Sequence, residues 1–281
     1  MSENESPRTE MDEYWNEAGG AKWVKNLSHL ENMLAPISRH LVASLSLENV
    51  TQVLDVGCGG GRVSAQVADK LGGSGEIVAA DISETILASA TVARKETTNL
   101  SFMHCDAETY AFEPDSFDLI ISQFGVMFFS TPVNAFKNIH SALRKNGRLN
   151  FVCWQSIHEN PWMKTAASAA FEILERPPSP EPGEPGPFSL ADKELLVGIL
   201  SSAGFKSIQT KPISEALDLG TLDQAVSLMT DMGPSAKPIA EASPENRQQA
   251  VAKIREAMRA NETSAGRVKL KGSFWLVTAQ A

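Results

Sequence analysis

Apolar and polar positions alternate along this chain in two registers. Five short apolar runs, Gln52 to Val56, Glu76 to Asp81, Leu100 to Cys105, Phe117 to Ser122 and Arg148 to Trp154, have the length of buried strands. Between and after them, Arg62 to Leu71, Ser83 to Thr97, Thr131 to Arg144 and Pro161 to Leu174 carry apolar residues at helical spacing. Strand and helix taking turns in this way predict parallel βαβ units, with helices on both faces of a doubly wound sheet. Ahead of the first run, Trp15, Trp23, Val24, Leu27, Leu30, Leu34, Ile37, Leu41 and Leu45 recur at helical intervals. They predict N-terminal helices over 11–46, with Pro36 as the break between two of them.

Punctuation divides the remainder. Residues 1–10, rich in Ser, Glu and Asn, read as an unstructured tail. Prolines 177, 178, 180, 182, 185 and 187 make 176–189 an extended loop between the core, 50–175, and the C-terminal part of the chain. "SLADKELLVGILSSAGF", 189–205, predicts a helix opened by a Ser189/Asp192 capping box and stopped at Gly204. Strands are expected at Lys206 to Ile213 and at 272–280, and 214–270 between them reads as a helical cap insertion broken at "GPSAKP". The expectation is α/β: one domain over 11–281 with a Rossmann-like, mostly parallel seven-stranded sheet and a C-terminal antiparallel strand.

Charge and cysteine usage narrow the partners. With 281 residues and 42% hydrophobic content the chain can bury a large core, and its net charge of −9 disfavours nucleic acid and anionic lipid. Cys58, Cys105 and Cys153 form no CxxC pair, so neither a metal site nor a disulfide framework is expected. A polar, acidic N-terminus and the lack of a membrane-length apolar run lead to a cytoplasmic expectation without membrane insertion. Oligomeric state is not readable from the pattern.

Candidate chemistry sits at the carboxyl ends of the predicted strands. "DVGCGGGR", 55–62, puts Gly57, Gly59 and Gly61 where the first strand meets a helix, the usual place for a ligand to approach the backbone. Asp81 ends the second run, 20 residues beyond Gly61, as an acidic group for a ribose diol would. Asp106 and Ala107 follow the third run, and Ser122, Gln123 and Phe124 the fourth. One glycine loop alone is weak; several polar groups at neighbouring strand ends make a site. Two other readings of the pattern stay open. One is an NAD(P)-binding oxidoreductase, although its G-x-G-x-x-G fingerprint needs glycine where Arg62 stands. The other is a cofactor-binding protein without catalysis.

These residues resemble class I S-adenosylmethionine-dependent methyltransferases, of the ubiquinone/menaquinone-biosynthesis-like, small-molecule branch. "VLDVGCGGGR" is similar to the family's cofactor loop, "AADIS" to its second motif, "CDAE" to its third, "FDLIISQFGVMFF" to its fourth and "LRKNGRL" to the turn before the fifth strand. The resemblance implies S-adenosylmethionine as cofactor and a small-molecule acceptor at oxygen, nitrogen or carbon. It also implies residue roles. Gly57 and Gly59 would pass under the methionine part, and Gly61 would permit the turn into the helix. Asp55 would orient the loop or face the cofactor's positive end. Asp81 would take the ribose hydroxyls, Ile82 would pack on adenine, and Asp106 with the Ala107 N–H would read the adenine edge. Gln123 would close the site near the transferable methyl. "SQFG" lacks the Asn/Asp-Pro-Pro-aromatic pattern of the nucleic-acid amino methyltransferases. Phe124 is the candidate for the acceptor pocket, Trp15 and Trp23 either cover the cofactor or pack on the sheet, and His158 and Glu159 are the candidate bases if one is needed. His29, His40, His104 and His140 read as structural, and Cys58 as a small buried residue.

Overall fold

The computed structural model describes residues 10–181 and 183–281; apart from Glu10, the expected tail 1–10 lies outside the described residues. In chain order the elements are α1 (Glu10–Asn16), α2 (Ala18–Ser44), β1 (Gln52–Val56), α3 (Arg62–Leu71), β2 (Glu76–Asp81), α4 (Glu84–Ala93), β3 (Leu100–His104), β4 (Phe117–Gln123), α5 (Pro132–Ala142), β5 (Leu143–Trp154), α6 (Pro161–Ala170), α7 (Lys193–Ser202), β6 (Lys206–Asp218), α8 (Leu222–Asp231), α9 (Ala236–Glu241), α10 (Pro244–Arg259) and β7 (Lys269–Gln280). The sheet has seven strands in the order β3-β2-β1-β4-β5-β7-β6. All neighbours from β3 to β5 pair in parallel, and β7 runs antiparallel to both β5 and β6. This is the expected doubly wound sheet.

The runs in the middle of the sheet are continuous rather than alternating because helices cover both faces. Val53, Leu54, Ile77, Ile120, Ile121, Phe151 and Val152 are fully buried. Strand order reverses between β1 and β4, which pair from Val53–Leu119 to Asp55–Ile121, so the crevice for a ligand opens where those two strands end.

Pro36 does not break the leading helix. α2 runs through it from Ala18 to Ser44, and the interruption lies at Glu17, whose φ of −111° and ψ of −113° leave the helical region. An interior proline costs a helix about 3 kcal/mol, partly because the carbonyl four residues earlier loses its donor. Here that carbonyl belongs to exposed Asn32 and can turn to water. The stripe Leu30, Met33, Leu34, Ile37 and Leu41, buried on both sides of Pro36, outweighs the loss. The capping box at Ser189 is also absent. Asp192 alone caps α7, its side chain accepting from the Leu195 N–H at 2.7 Å, while buried Ser189 donates its hydroxyl to the Met127 carbonyl at 2.6 Å.

Several element ends differ from those the spacing predicts. α4 stops at Ala93, α6 at Ala170 and α5 at Ala142, after which β5 starts at Leu143 through an irregular turn opposite Phe117. β3 ends one residue early, at His104. β6 extends to Asp218 and β7 begins at Lys269 because the two hairpin arms pair from Lys206–Gln280 to Asp218–Lys269. The cap therefore comprises α8, α9 and α10 between those arms, with α10 packed on α6 and α8.

One buried side chain ties the end of β5 to β7. Asn160, fully buried, donates to the carbonyls of Gln155, Ser156 and Ser273 at 2.9 to 3.0 Å and accepts from the Ser273 N–H at 2.8 Å. Replacing it leaves the Gln155 carbonyl and the buried Ser273 N–H without this partner, while the Ser156 and Ser273 carbonyls keep the N–H groups of Glu159 and Gln155. Asn160→Ala is expected to lose about 2 to 3 kcal/mol, seen as a lower urea midpoint; a midpoint within error of the parent would contradict the clamp.

Candidate cofactor and acceptor cleft

The loop after β1 is held against β2. The Gly57 and Cys58 N–H groups both donate to the Ala80 carbonyl, at 2.8 and 3.0 Å, and the Gly59 N–H donates to Asp81 Oδ2 at 2.9 Å. Asp81 Oδ1 accepts from the Ser83 N–H at 3.0 Å. The carboxylate, 8% exposed, is thus aimed by two backbone donors and keeps a further lone pair on each oxygen. Gly57, Gly59 and Gly61 all have positive φ, at 68°, 55° and 71°. At Gly57 a side chain is also excluded by space, since a Cβ would stand 2.6 Å from the Gly125 Cα.

Asp55 lies beneath this loop. Its Oδ2 accepts from the Ser64 hydroxyl at 2.5 Å, and its Oδ1 is buried without a partner. Burial is the main cause that raises its pKa from 3.8 to about 7; the Ser64 hydrogen bond opposes the shift and the charge of Asp81 adds to it. Burial likewise raises Asp81, against the pull of the Ser83 and Gly59 N–H groups. Cys58, half-buried rather than buried, is pushed well above its usual range by burial and then by Asp81 and Asp55, so its thiol is no nucleophile.

The end of β4 forms the facing wall. Ser122, fully buried, accepts from the Gly125 and Val126 N–H groups at 3.1 and 3.3 Å and so shapes the turn that carries Phe124. Phe124 holds a φ of +67°, unusual for a bulky residue, and stacks on Trp154 with ring centres 4.1 Å apart. Its N–H donates to the Val152 carbonyl at 3.1 Å. Gln123 Oε1 is buried and unpartnered.

The third wall comes from α2. Trp23, Leu27, Leu30, Glu31 and Leu34 face the loop, and with Asp55, Gly57, Cys58, Gly59, Gly60, Arg62, Val63, Gln123 and Phe124 they line a cleft. The helix is fastened there. Arg94, after α4, donates to Glu31 Oε1 at 2.6 Å and to the Gly60 carbonyl at 3.0 Å. The end of α1 is stitched to the β2 turn: Asn16 donates to the Ile82 carbonyl and accepts from the Glu84 N–H, both at 2.9 Å, and Ser83 donates to the Trp15 carbonyl at 2.7 Å. Trp15 packs edge-on against Trp23 and Phe128.

The structure thus gathers Asp55, Gly57, Gly59, Gln123 and Phe124 around one cleft, with Gly61 opening α3 and Asp81 fixed to Gly59. Asp106 and Ala107 follow β3 next door. Asp106 accepts from the Glu108 N–H at 2.9 Å, and its pKa is raised chiefly by burial, with smaller contributions from the charges of Glu108 and Asp12. His158 and Glu159 line no part of the cleft: both are exposed, and Glu159 pairs with Lys271 at 3.0 Å. Sequence reading placed Ser122 at the strand end without a role and missed Ser64, Leu27, Glu31 and Arg94. The available signal was faint: a serine one turn into the helix after the glycine loop, opposite a strand acid.

Of the six buried polar atoms without partners among the described residues, three belong to side chains that line the cleft, the acceptors Asp55 Oδ1 and Gln123 Oε1 and the donor Trp23 Nε1. Such atoms are uncommon in folded proteins, and three in the lining of one cleft leave unused hydrogen-bonding capacity there for a polar ligand. Two acceptors beside a donor suit a group that carries both an ammonium and a carboxylate, as the methionine part of S-adenosylmethionine does.

Known proteins point the same way. Residues 53–147 match the methyltransferase domain family. The demethylmenaquinone methyltransferase of Staphylococcus epidermidis is 24% identical over 180 residues, 60% of this chain and 74% of that protein. The aklanonic acid methyltransferase DauC of Streptomyces sp. (strain C5) is 35% identical over 121 residues, 41% of this chain and 54% of that protein. In fold, the chain is similar to Haemonchus contortus phosphoethanolamine N-methyltransferase 2, solved with phosphomonomethylethanolamine and S-adenosylhomocysteine. The TM-score is 0.57 at 16% identity, over 98% of this chain and 61% of that one.

Asp55 makes stability depend on pH in a definite direction. Its carboxyl holds a proton more tightly in the folded chain than in the unfolded one, so its favourable contribution is complete below about 4 and is lost as pH rises through about 7. The ligand-free Asp55→Asn protein should therefore lose less stability than the parent between pH 5 and 8, by a few kcal/mol in urea titrations. Parallel pH profiles for the two proteins would show that Asp55 titrates normally.

Proposed function

The chain belongs to the class I S-adenosylmethionine-dependent methyltransferases, and on that footing we propose which residues hold the cofactor and what kind of acceptor is methylated. It is an enzyme that takes its methyl group from S-adenosylmethionine, a reading the methyltransferase relatives favour over both an NAD(P)-dependent oxidoreductase and a non-catalytic binder. When bound, this cofactor supplies a methyl on a positively charged sulfur, already activated for in-line displacement.

The observation that carries the assignment of residues is the convergence of unpartnered atoms on the cleft between β1, β4 and α2. Gly57 and Gly59 would let the methionine part lie against the backbone, and Gly61 would turn the chain away into α3. Asp55 would face the ammonium, where a nearby positive charge favours the ionised form that burial disfavours. Asp81 would accept from the ribose hydroxyls through the lone pairs that Gly59 and Ser83 leave free. Ile82 would pack on the adenine, and Asp106 with the Ala107 N–H would read its edge. Gln123 would close the site beside the reacting carbon.

The rest of the cleft supports a small, partly apolar acceptor. Leu27, Leu30, Leu34 and Phe124 form its hydrocarbon surface, and its remaining acid, Glu31, is neutralised by Arg94. With His158 and Glu159 outside the cleft, alignment and exclusion of water by α2 are the contributions this chain makes to the transfer. The acceptors after which two relatives are named, demethylmenaquinone and aklanonic acid, are compatible with that surface. Net charge disfavours a nucleic-acid substrate. We read 11–281 as one methyltransferase domain. The three unpaired cysteines support a reducing, cytoplasmic location, and among the described residues no helix is long and apolar enough to cross a membrane.

Calorimetric titration with S-adenosylmethionine tests the placement of the nucleoside. Asp81→Ala is expected to weaken binding by about 100-fold through loss of two charge-assisted hydrogen bonds, and Asp106→Ala by less than about 10-fold. Parent-like affinity in Asp81→Ala would remove the ribose from this position.

A further inference from the structure

Trp23 lies outside every strand-end motif, yet its indole nitrogen is one of the buried atoms that lack a partner in the cleft. It stands over the glycine loop: a Cβ placed on Gly59 would be 3.5 Å from Nε1. The ring is held from behind by Trp15, edge-on at 5.9 Å, and Trp15 in turn by Phe128 at 5.1 Å and Tyr14 at 5.2 Å. The Glu31–Arg94 pair and the Arg94 bond to the Gly60 carbonyl fix α2 at this distance from the loop.

An indole N–H only donates, so its partner must be an acceptor. The other two unpartnered atoms are Asp55 Oδ1 and Gln123 Oε1, and once ionised Asp55 offers only lone pairs there and calls for a donor such as the ammonium. The remaining pole of an amino-acid group is its carboxylate. Arg62 lines the same cleft, meets the side-chain oxygen of Asn32 at 3.2 Å and pairs with no acid among the described residues, adding positive potential to the cleft. We infer that Trp23 donates its Nε1–H to the carboxylate of the cofactor's methionine part, so that α2 reads the amino-acid end of the cofactor as well as covering it. This rests on the cofactor placement proposed above.

The test compares S-adenosylhomocysteine with 5′-methylthioadenosine, which keeps the nucleoside and thioether but has no amino-acid group. Trp23→Phe retains an aromatic ring and loses the donor. Calorimetry should show a loss of about 10- to 100-fold for S-adenosylhomocysteine and a change within about 2-fold for 5′-methylthioadenosine. In the unmutated protein the Trp23 indole proton resonance, identified by its disappearance in the variant, should move downfield with the first ligand and not with the second. Equal losses for both ligands would mean that the ring packs on the nucleoside, and would overturn the inference. So would an unchanged affinity for S-adenosylhomocysteine or an unmoved resonance. Those results leave the cofactor placement standing, whereas failure of the unmutated protein to bind either ligand would remove both.

Discussion

Where β1 and β4 end, the chain passes itself with no side chain in between. A Cβ on Gly57 would stand 2.6 Å from the Gly125 Cα, and one on Gly125 would stand 2.5 Å from the Val56 carbonyl oxygen. The two turns can therefore lie one on the other, and the rest of the cleft depends on that contact. It lets Gly57 and Cys58 share the Ala80 carbonyl, which aims Gly59 at Asp81. On the other side it places the left-handed Phe124 so that its ring meets Trp154 instead of solvent. A larger residue at either glycine would separate the turns and misplace both walls together.

Within that arrangement the site is held under electrostatic tension. Asp55 and Asp81 are both buried, the charge of Asp81 bears on Asp55, and their hydrogen bonds come from a hydroxyl and from backbone N–H groups, with the charge of His104 also favouring ionised Asp81. The cations nearby are committed elsewhere or stand at the rim: Arg94 holds Glu31, and Arg62 meets Asn32. A chain selected for stability alone would have paired these acids or removed them. Leaving them unpaired favours binding of a positively charged ligand and exacts a cost in stability near neutral pH.

What could be read from the residues was what is local. Strand cores such as Val53–Leu54 and Ile120–Ile121 declare themselves as short runs because both their faces are covered. The glycine loop declares its place because positive φ is required between strand and helix. Pro36 misled because its effect was judged on one turn, whereas the apolar stripe that overrides it extends from Leu30 to Leu41. Ser189 misled because a capping motif and a buried tertiary hydrogen bond to Met127 look the same in sequence. The contribution of α2 to the cleft was beyond such reading for a related reason. Glu31 meets Arg94 63 residues later and Asn16 meets Ile82 66 residues later, and nothing in either segment announces its partner.

The cap leaves the sheet and rejoins it at a single point. Leu219 donates to the Val268 carbonyl at 2.9 Å and Val268 donates to the Gly220 carbonyl at 2.8 Å, so departure and return are sealed by one reciprocal pair at the end of the β6–β7 hairpin. α8 to α10, threaded between them, touch the rest of the fold through α10 on α6 and through the Lys25–Asp231 pair at 2.6 Å that joins α8 to α2. A change in the length of this segment would leave the register of the sheet untouched and be felt first at α2, the helix that covers the cleft.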